Sequence, residues 1–228
     1  MQFSKNWLKE FIDIDLSTQE ICHQLTMAGL EVDGYEDVKS KITGNDSIIK
    51  LDITPNRGDC FSVLGVAREL AVINNLKFSL PKINKISESF TDDINLKVCM
   101  DGPIYFGRTI KNISLKSKTL PLIAERLKLS DQKLIDPVVD ITNYILLELG
   151  QPLHAFDRQK LNGDITVRLA KEKEKIILLD DQELELDSSC LVISDEKEAV
   201  AFAGIMGGKA SSVTDKTNSI FLESAFFK

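Results

Sequence analysis

Apolar positions in the first third of the chain recur at helical intervals. Trp7, Leu8 and Phe11 fall at i, i+1 and i+4 behind Ser4, a residue suited to capping, and predict a helix over 4–13. Ser17 and Glu20 have capping-box spacing, with Ile21, Leu25 and Ala28 forming one stripe behind them. Gly29 suits the left-handed residue that ends such a helix. A strand starts at Leu30–Asp33. Residues 36–46 are polar and carry loop signals, which predicts a connector. Ser47–Ile53 reads as a strand, Thr54–Asp59 as a dense turn cluster, and Phe61–Ile73 as a helix with Val63, Val66, Ala67 and Leu70 on one side. Pro81 and the polar run 76–93 mark a boundary.

The pattern then changes. Asn95–Met100 and Ile104–Ile110 read as strands and Leu120–Leu129 as a helix. Asp136 and Pro137 pair a cap with a first-turn proline and open a second helix through Val138, Ile141, Ile145 and Leu149. Gly150 and Pro152 stop it. Strands follow at Ile165–Leu169, Lys175–Leu179, Glu183–Leu186, Leu191–Ile193, Ala199–Ala203 and Ser219–Glu223. Helices come early and strands late, without strand–helix alternation, so the fold class is α+β. Two modules are expected, a helical one over 1–85 joined directly at about 36–46, and a mixed one over 94–228.

Composition adds exclusions more than chemistry. With 228 residues and 43% apolar usage the chain is globular and of ordinary composition. No apolar run approaches the roughly 20 residues of a membrane helix, and the N-terminus has no apolar signal core, so a cytoplasmic protein without a membrane partner is expected. Cys22, Cys60, Cys99 and Cys190 form no paired motif and read as buried, reduced thiols. His23 and His154 are the only histidines and have no ligand spacing, so no metal site is expected. The net charge of −7 argues weakly against a nucleic-acid partner. It is an average, however. Residues 102–135 hold seven basic residues against two acids, and 171–200 hold ten acids against four lysines. A basic stretch can meet phosphates in an acidic protein, because screening confines exposed charge to about 8–10 Å. It can equally be a solvated surface.

Four places carry candidate chemistry. His154 follows a helix end in a run that reads as a loop, where it could titrate near neutral pH or satisfy the helix's last carbonyls. Asp140, Thr142 and Asn143 interrupt an apolar helix pattern and form either a capping network or the polar wall of a site. Ala203 and Gly204 open a segment with three glycines in five residues, a tight turn or a close approach to a ligand. Glu223 lies in the apolar run Ile220–Phe227; alternation puts it on one face with Phe221. It is either at the solvent or a carboxyl that must be paired, protonated or aimed into a polar pocket.

These segments together resemble the N-terminal part of the bacterial phenylalanine–tRNA ligase β-subunit family. The likeness runs in order through Leu25–Asp33, Thr54–Cys60, Leu64–Glu69, Val138–Tyr144, Leu147–Asp157, Ala203–Gly208 and Leu222–Phe227. It implies a winged-helix-like module followed by an editing domain that hydrolyses tyrosine wrongly attached to phenylalanine's tRNA. By that resemblance Thr142, Asn143 and His154 are the catalytic positions, around the ester, and Glu223, Ala203 and Gly204 bind the substrate. The implied partners are the ligase α subunit, in a heterotetramer of two α and two β subunits, and tRNA(Phe). No cofactor is expected in this chain; ATP and magnesium belong to the holoenzyme. The sequence departs from the family's pattern in three ways. The oligonucleotide-binding insertion expected between Tyr35 and Asp46 is missing. The chain stops before the rest of the editing domain, the synthetase-like core and the anticodon-binding end. Ile104 and Lys133 stand where arginines are expected, which weakens a basic lining. The alternative to editing is a non-catalytic module for assembly or tRNA docking.

Overall fold

The structure is a computed structural model that describes residues 1–227. Its fold is mixed α+β, in two compact units. The first joins Met1–Ile86 with Lys118–Gln151; the second joins Ser87–Ser117 with the chain from Pro152 onward.

In the first unit β1 (Gln2–Ser4), β3 (Gly44–Asp52) and β2 (Glu31–Ser40) form an antiparallel sheet in the order β1-β3-β2. Between them lie α1 (Lys5–Leu8) and α2 (Thr18–Met27), and α3 (Val63–Ile73) follows. Ser4 caps α1, its hydroxyl accepting from the Trp7 amide at 3.1 Å. The helix expected over 4–13 ends after one turn, because Ile12 leaves it for a bridge to Phe78. Ser17 and Glu20 form the anticipated capping box on α2, with bonds of 3.2 and 2.8 Å. The connector expected at 36–46 is instead a hairpin. β2 and β3 pair from Glu31–Asp52 to Ser40–Gly44, with a bulge near Val32–Gly34 and only residues 41–43 left as the turn. Most of β2 faces solvent, so its outer half has no apolar alternation to betray a strand.

The expected continuous module over 94–228 is interrupted. α4 (Pro121–Leu129) and α5 (Pro137–Leu149) pack into the first unit, whose core of Phe3, Trp7, Leu8, Leu25, Ile49 and Leu70 takes Tyr144 and Leu147 of α5 at its edge. Asp136 accepts from the Val138 and Val139 amides at 2.9 and 3.0 Å, and Gly150 closes α5 at φ +75°, as the sequence predicts. The tie is aromatic and cationic. Tyr144 stacks on Trp7 at 4.9 Å, and the buried Arg126 guanidinium lies 5.0 Å from the Trp7 ring centre. Arg126 donates to the Tyr144 hydroxyl at 2.8 Å and to the Glu10 carboxylate. Tyr144 in turn donates to Glu148 at 2.7 Å.

In the second unit β12 (Met206–Gly207), β11 (Ala199–Phe202), β10 (Leu191–Ser194), β7 (Ile165–Leu169) and β4 (Leu96–Val98) form a five-stranded sheet in that order, with only β4–β7 parallel. A three-stranded antiparallel sheet places β13 (Ser219–Phe226) between β5 (Ile104–Lys111) and β6 (Leu153–Asp157). The pair β8 (Glu174–Ile177) and β9 (Glu183–Leu186) forms a separate hairpin. Tyr105, Phe156 and Phe221 of the smaller sheet share one core with Val167, Ile193 and Val200 of the larger.

The Arg126 cluster generates a stability prediction. Arg126→Ala removes a packed stem, a cation–π contact and two hydrogen bonds, and should cost about 2–3 kcal/mol. Trp7, the chain's one tryptophan, reports this by fluorescence during urea denaturation. An unchanged midpoint would show that the cluster carries no weight.

Candidate functional site

Double-sided pairing of β13 brings the second unit's candidate residues together. Glu223 stands opposite Gly107 on β5 and opposite His154 on β6. Residues paired across antiparallel strands share a face, so Glu223 and His154 project together, on the side of Phe156 and Phe221. His154 meets the Phe156 ring edge-on at 4.5 Å. Glu223 is 7% exposed. Its Oε2 accepts from the Tyr105 hydroxyl at 2.9 Å. Burial pushes the Glu223 carboxyl up to about 7, while the Tyr105 hydrogen bond pulls it down. Burial and the Glu223 charge hold the Tyr105 phenol far above its ordinary value, so it remains a donor. The solvent-facing alternative for Glu223 is thereby excluded.

His154 differs from its expectation. It lies in strand β6, not in a loop, and burial pushes it down to about 4, so the ring is neutral at pH 7. Its Nε2 is buried without a hydrogen-bond partner among the described residues. Glycine makes room for it: a Cβ on Gly207 would sit 2.4 and 2.5 Å from the imidazole Cε1 and Nε2. A Cβ on Gly107 would lie 2.1 Å from the Phe221 ring. Ala203 is buried in the shared core, and Gly204, at φ +71°, turns the chain from β11 into β12 beside Phe227. The glycine-rich segment is thus a tight turn whose next glycine, Gly207, meets the histidine.

Sequence reasoning missed Tyr105 as a site residue and did not single out Gly207. Alternation over Ile104–Ile110 puts Tyr105 and Gly107 on one face, but only the β5–β13 register shows that Glu223 shares it.

Thr142 and Asn143 belong to the first unit, on α5. The Thr142 hydroxyl donates to the Val139 carbonyl of its own helix at 2.9 Å. Asp140 is buried and accepts from the Ile135 amide at 2.9 Å and from the Thr119 hydroxyl, the first of the two alternatives open for it, a capping network. Asp59, Cys60 and Glu69 bring three metal-ligating types within 4.8 Å. Arg57 already supplies their cation, bonding Asp59 and Glu69 at 3.0 Å and the Cys60 sulfur at 3.1 Å. Cys22 and Cys60 are buried as expected, Cys190 is half-buried, and Cys99 is exposed, which corrects its expected burial. The basic window is less basic than its count. Arg126 is spent inside the first unit's core, and Arg108 lies 3.9 Å from Glu88. Among the described residues no helix is long and apolar enough to cross a membrane.

Residues 101–228 match the B3/4 domain family, and the chain belongs to it. That match runs through α4 and α5 as well as the second unit. Over 194 residues the chain is 50% identical to phenylalanine–tRNA ligase β subunits from Idiomarina loihiensis and Photorhabdus laumondii, covering 84% of this chain and 24% of each relative. The Acinetobacter baylyi β subunit is 47% identical over 192 residues, with the same coverage. The chain therefore spans about a quarter of the length of these relatives. An N-terminal fragment of the phenylalanyl-tRNA synthetase β subunit from Pyrococcus horikoshii aligns with a TM-score of 0.48 and 19% identity, over 100% of this chain and 68% of that one.

Two predictions follow from the buried pair. Folding raises Glu223 from the ordinary 4.5 to about 7, so the stability it contributes is full below pH 4.5 and lost as pH rises through 7. His154 runs oppositely. Its ordinary 6.5 falls to about 4, so its contribution is full above pH 6.5 and lost as pH falls through 4. The stability of Glu223→Gln relative to the parent should therefore climb between pH 4.5 and 7, by at most about 1.4 kcal/mol per pH unit, and level off outside. Urea midpoints measured across pH give this difference; a flat difference would show an exposed carboxyl. Separately, Gly207→Ala should displace the imidazole, cost about 1–3 kcal/mol by overpacking, and shift the His154 ring resonances in NMR spectra. Unmoved resonances would show that the ring does not touch Gly207.

Proposed function

We propose that this chain is part of a phenylalanine–tRNA ligase β subunit and that its second unit edits, hydrolysing the ester of tyrosine wrongly attached to tRNA(Phe). One observation carries it. Glu223 and His154 face each other across β6 and β13, the buried carboxyl with one described donor and the half-buried histidine's Nε2, itself shielded from solvent, with none. Buried polar groups are rarely left short of partners, and a ligand that completes them explains why they are there. Sequence identity of 50% to ligase β subunits supports this choice of substrate class.

The chemistry follows from a one-hydroxyl difference. A pocket for phenylalanine rejects tyrosine weakly, by about 10² at best. A pocket built to accept a phenolic O–H discriminates better, because a phenylalanine ring leaves the buried carboxyl unpaired. Glu223 is that acceptor. In the reaction water adds to the ester carbonyl carbon and the bond to the ribose oxygen breaks. Tyrosine leaves as its carboxylic acid, and the ribose oxygen takes up the water's other proton. A histidine held at about 4 is a poor base at neutral pH, so His154 serves by hydrogen-bonding water or the ester through Nε2. The pocket proposed here draws on the second unit alone. The ligase α subunit and tRNA(Phe) are the proposed partners.

The test uses the ligase complex containing the full β subunit. Glu223→Ala should slow deacylation of Tyr-tRNA(Phe) by about 10²-fold or more, the loss of one transition-state contact to a buried group, and His154→Ala by about tenfold. Equal rates for Glu223→Ala and parent remove the carboxyl from the site. A parent complex that binds tRNA(Phe) but does not deacylate Tyr-tRNA(Phe) puts the docking alternative in its place.

A further inference from the structure

Tyr105 is buried, chemically matched to the proposed substrate, and so far without a role. Across β5 and β13 it pairs with Ala225 while Gly107 pairs with Glu223, so phenol and carboxyl meet on the diagonal of one face. Tyr105 is 9% exposed, and its hydroxyl is the donor to Glu223 Oε2 at 2.9 Å. No described residue hydrogen-bonds the second oxygen. Gly107, directly opposite, brings no side chain to the carboxyl. From β6 the facing group is His154. Tyr105 and His154 are thus the titratable groups that the neighbouring strands turn toward Glu223, and neither is charged at neutral pH.

We infer that Tyr105 is a specificity-positioning residue: its hydroxyl pins one oxygen of Glu223 and leaves the other as the acceptor for a substrate phenol. The inference rests on the proposed editing activity. A carboxylate has about four acceptor positions, so one internal phenol leaves room for a second. A donated hydrogen bond also favours the ionised carboxylate, which only accepts, over the carboxylic acid, which must donate its own proton. That distinction matters here. A carboxylic acid can turn its hydroxyl toward the ligand and lose its preference for a donor, whereas a carboxylate held by Tyr105 cannot. The protein's phenol thereby keeps Glu223 in the state that tells tyrosine from phenylalanine.

The test is Tyr105→Phe in the ligase complex, which removes one hydroxyl and keeps the ring. Deacylation of Tyr-tRNA(Phe) and Phe-tRNA(Phe) is followed from pH 6 to 8.5. At pH 7 the tyrosyl rate should fall roughly fivefold and recover as pH rises, the acid limb moving up by about one pH unit, as expected for loss of a hydrogen bond to the ionised form. The phenylalanyl rate should not change, so discrimination falls by the same factor. The substrate's own amino group titrates alike for both enzymes, and His154 titrates below this window, so the displacement between profiles is the readout. Unchanged rates and an unchanged limb overturn the inference. So does a uniform fall at every pH, which would make Tyr105 a support of the fold only. Glu223→Gln is measured alongside. If it keeps the parent's tyrosyl rate, the editing proposal itself fails. If it is impaired while Tyr105→Phe is not, only the role of Tyr105 is lost.

Discussion

Everything at the candidate site depends on β13 being hydrogen-bonded along both edges. Eight consecutive residues pair with β5 and five of them also pair with β6, so the registers are locked to each other. A slip of one residue on either side would turn Glu223 from the core face to the opposite face and exchange it for Ser224. The inner face of this small sheet is apolar at Phe156 and Phe221, and that apolar wall is what desolvates the carboxyl and the imidazole. Backbone pairing therefore sets the site's electrostatics. It fixes which groups are buried together, and burial in turn makes one an unusually weak acid and the other an unusually weak base.

Local signals in the sequence are legible where the cause is local. The Ser17–Glu20 box, the Asp136-Pro137 start and the Gly150 stop are each settled within a few residues of backbone, and each stands where expected. The α+β class also follows from the order of the elements. What was not legible depends on partners far away in the chain. Nothing near 36–46 announces a strand, because the outer hairpin is polar on both faces and exists through its ladder to β3. The assignment of α4 and α5 rests on Trp7 stacking with Tyr144 across 137 positions of sequence. The run from Leu153 to Asp157 is partly or wholly buried throughout, so it shows no alternation, and flanking Gly150 and Pro152 suggest a loop instead.

The site divides in the same way. Glu223 was conspicuous because a carboxyl in an apolar strand needs an explanation, and the face it shares with Phe221 was readable from alternation. Tyr105 carried no such mark: a tyrosine in an apolar strand is ordinary, and its meaning appears only once β5 lies beside β13. Charge counting failed for a related reason. Arg126 adds to the basic window on paper, yet its guanidinium is consumed by Glu10, Tyr144 and the Trp7 ring.

Gly107 and Gly207 give the candidate site an asymmetry toward mutation. At each the missing methyl group is filled by a ring, Phe221 on the doubly paired β13 in one case and His154 on β6, which pairs with β13, in the other. A single base change can add the methyl, but no neighbouring single change restores the lost space, since the crowding ring is itself part of the site's wall or chemistry. Drift at these two positions is a one-way path. Libraries meant to reshape the pocket should hold both glycines constant and seek new volume elsewhere on the sheet.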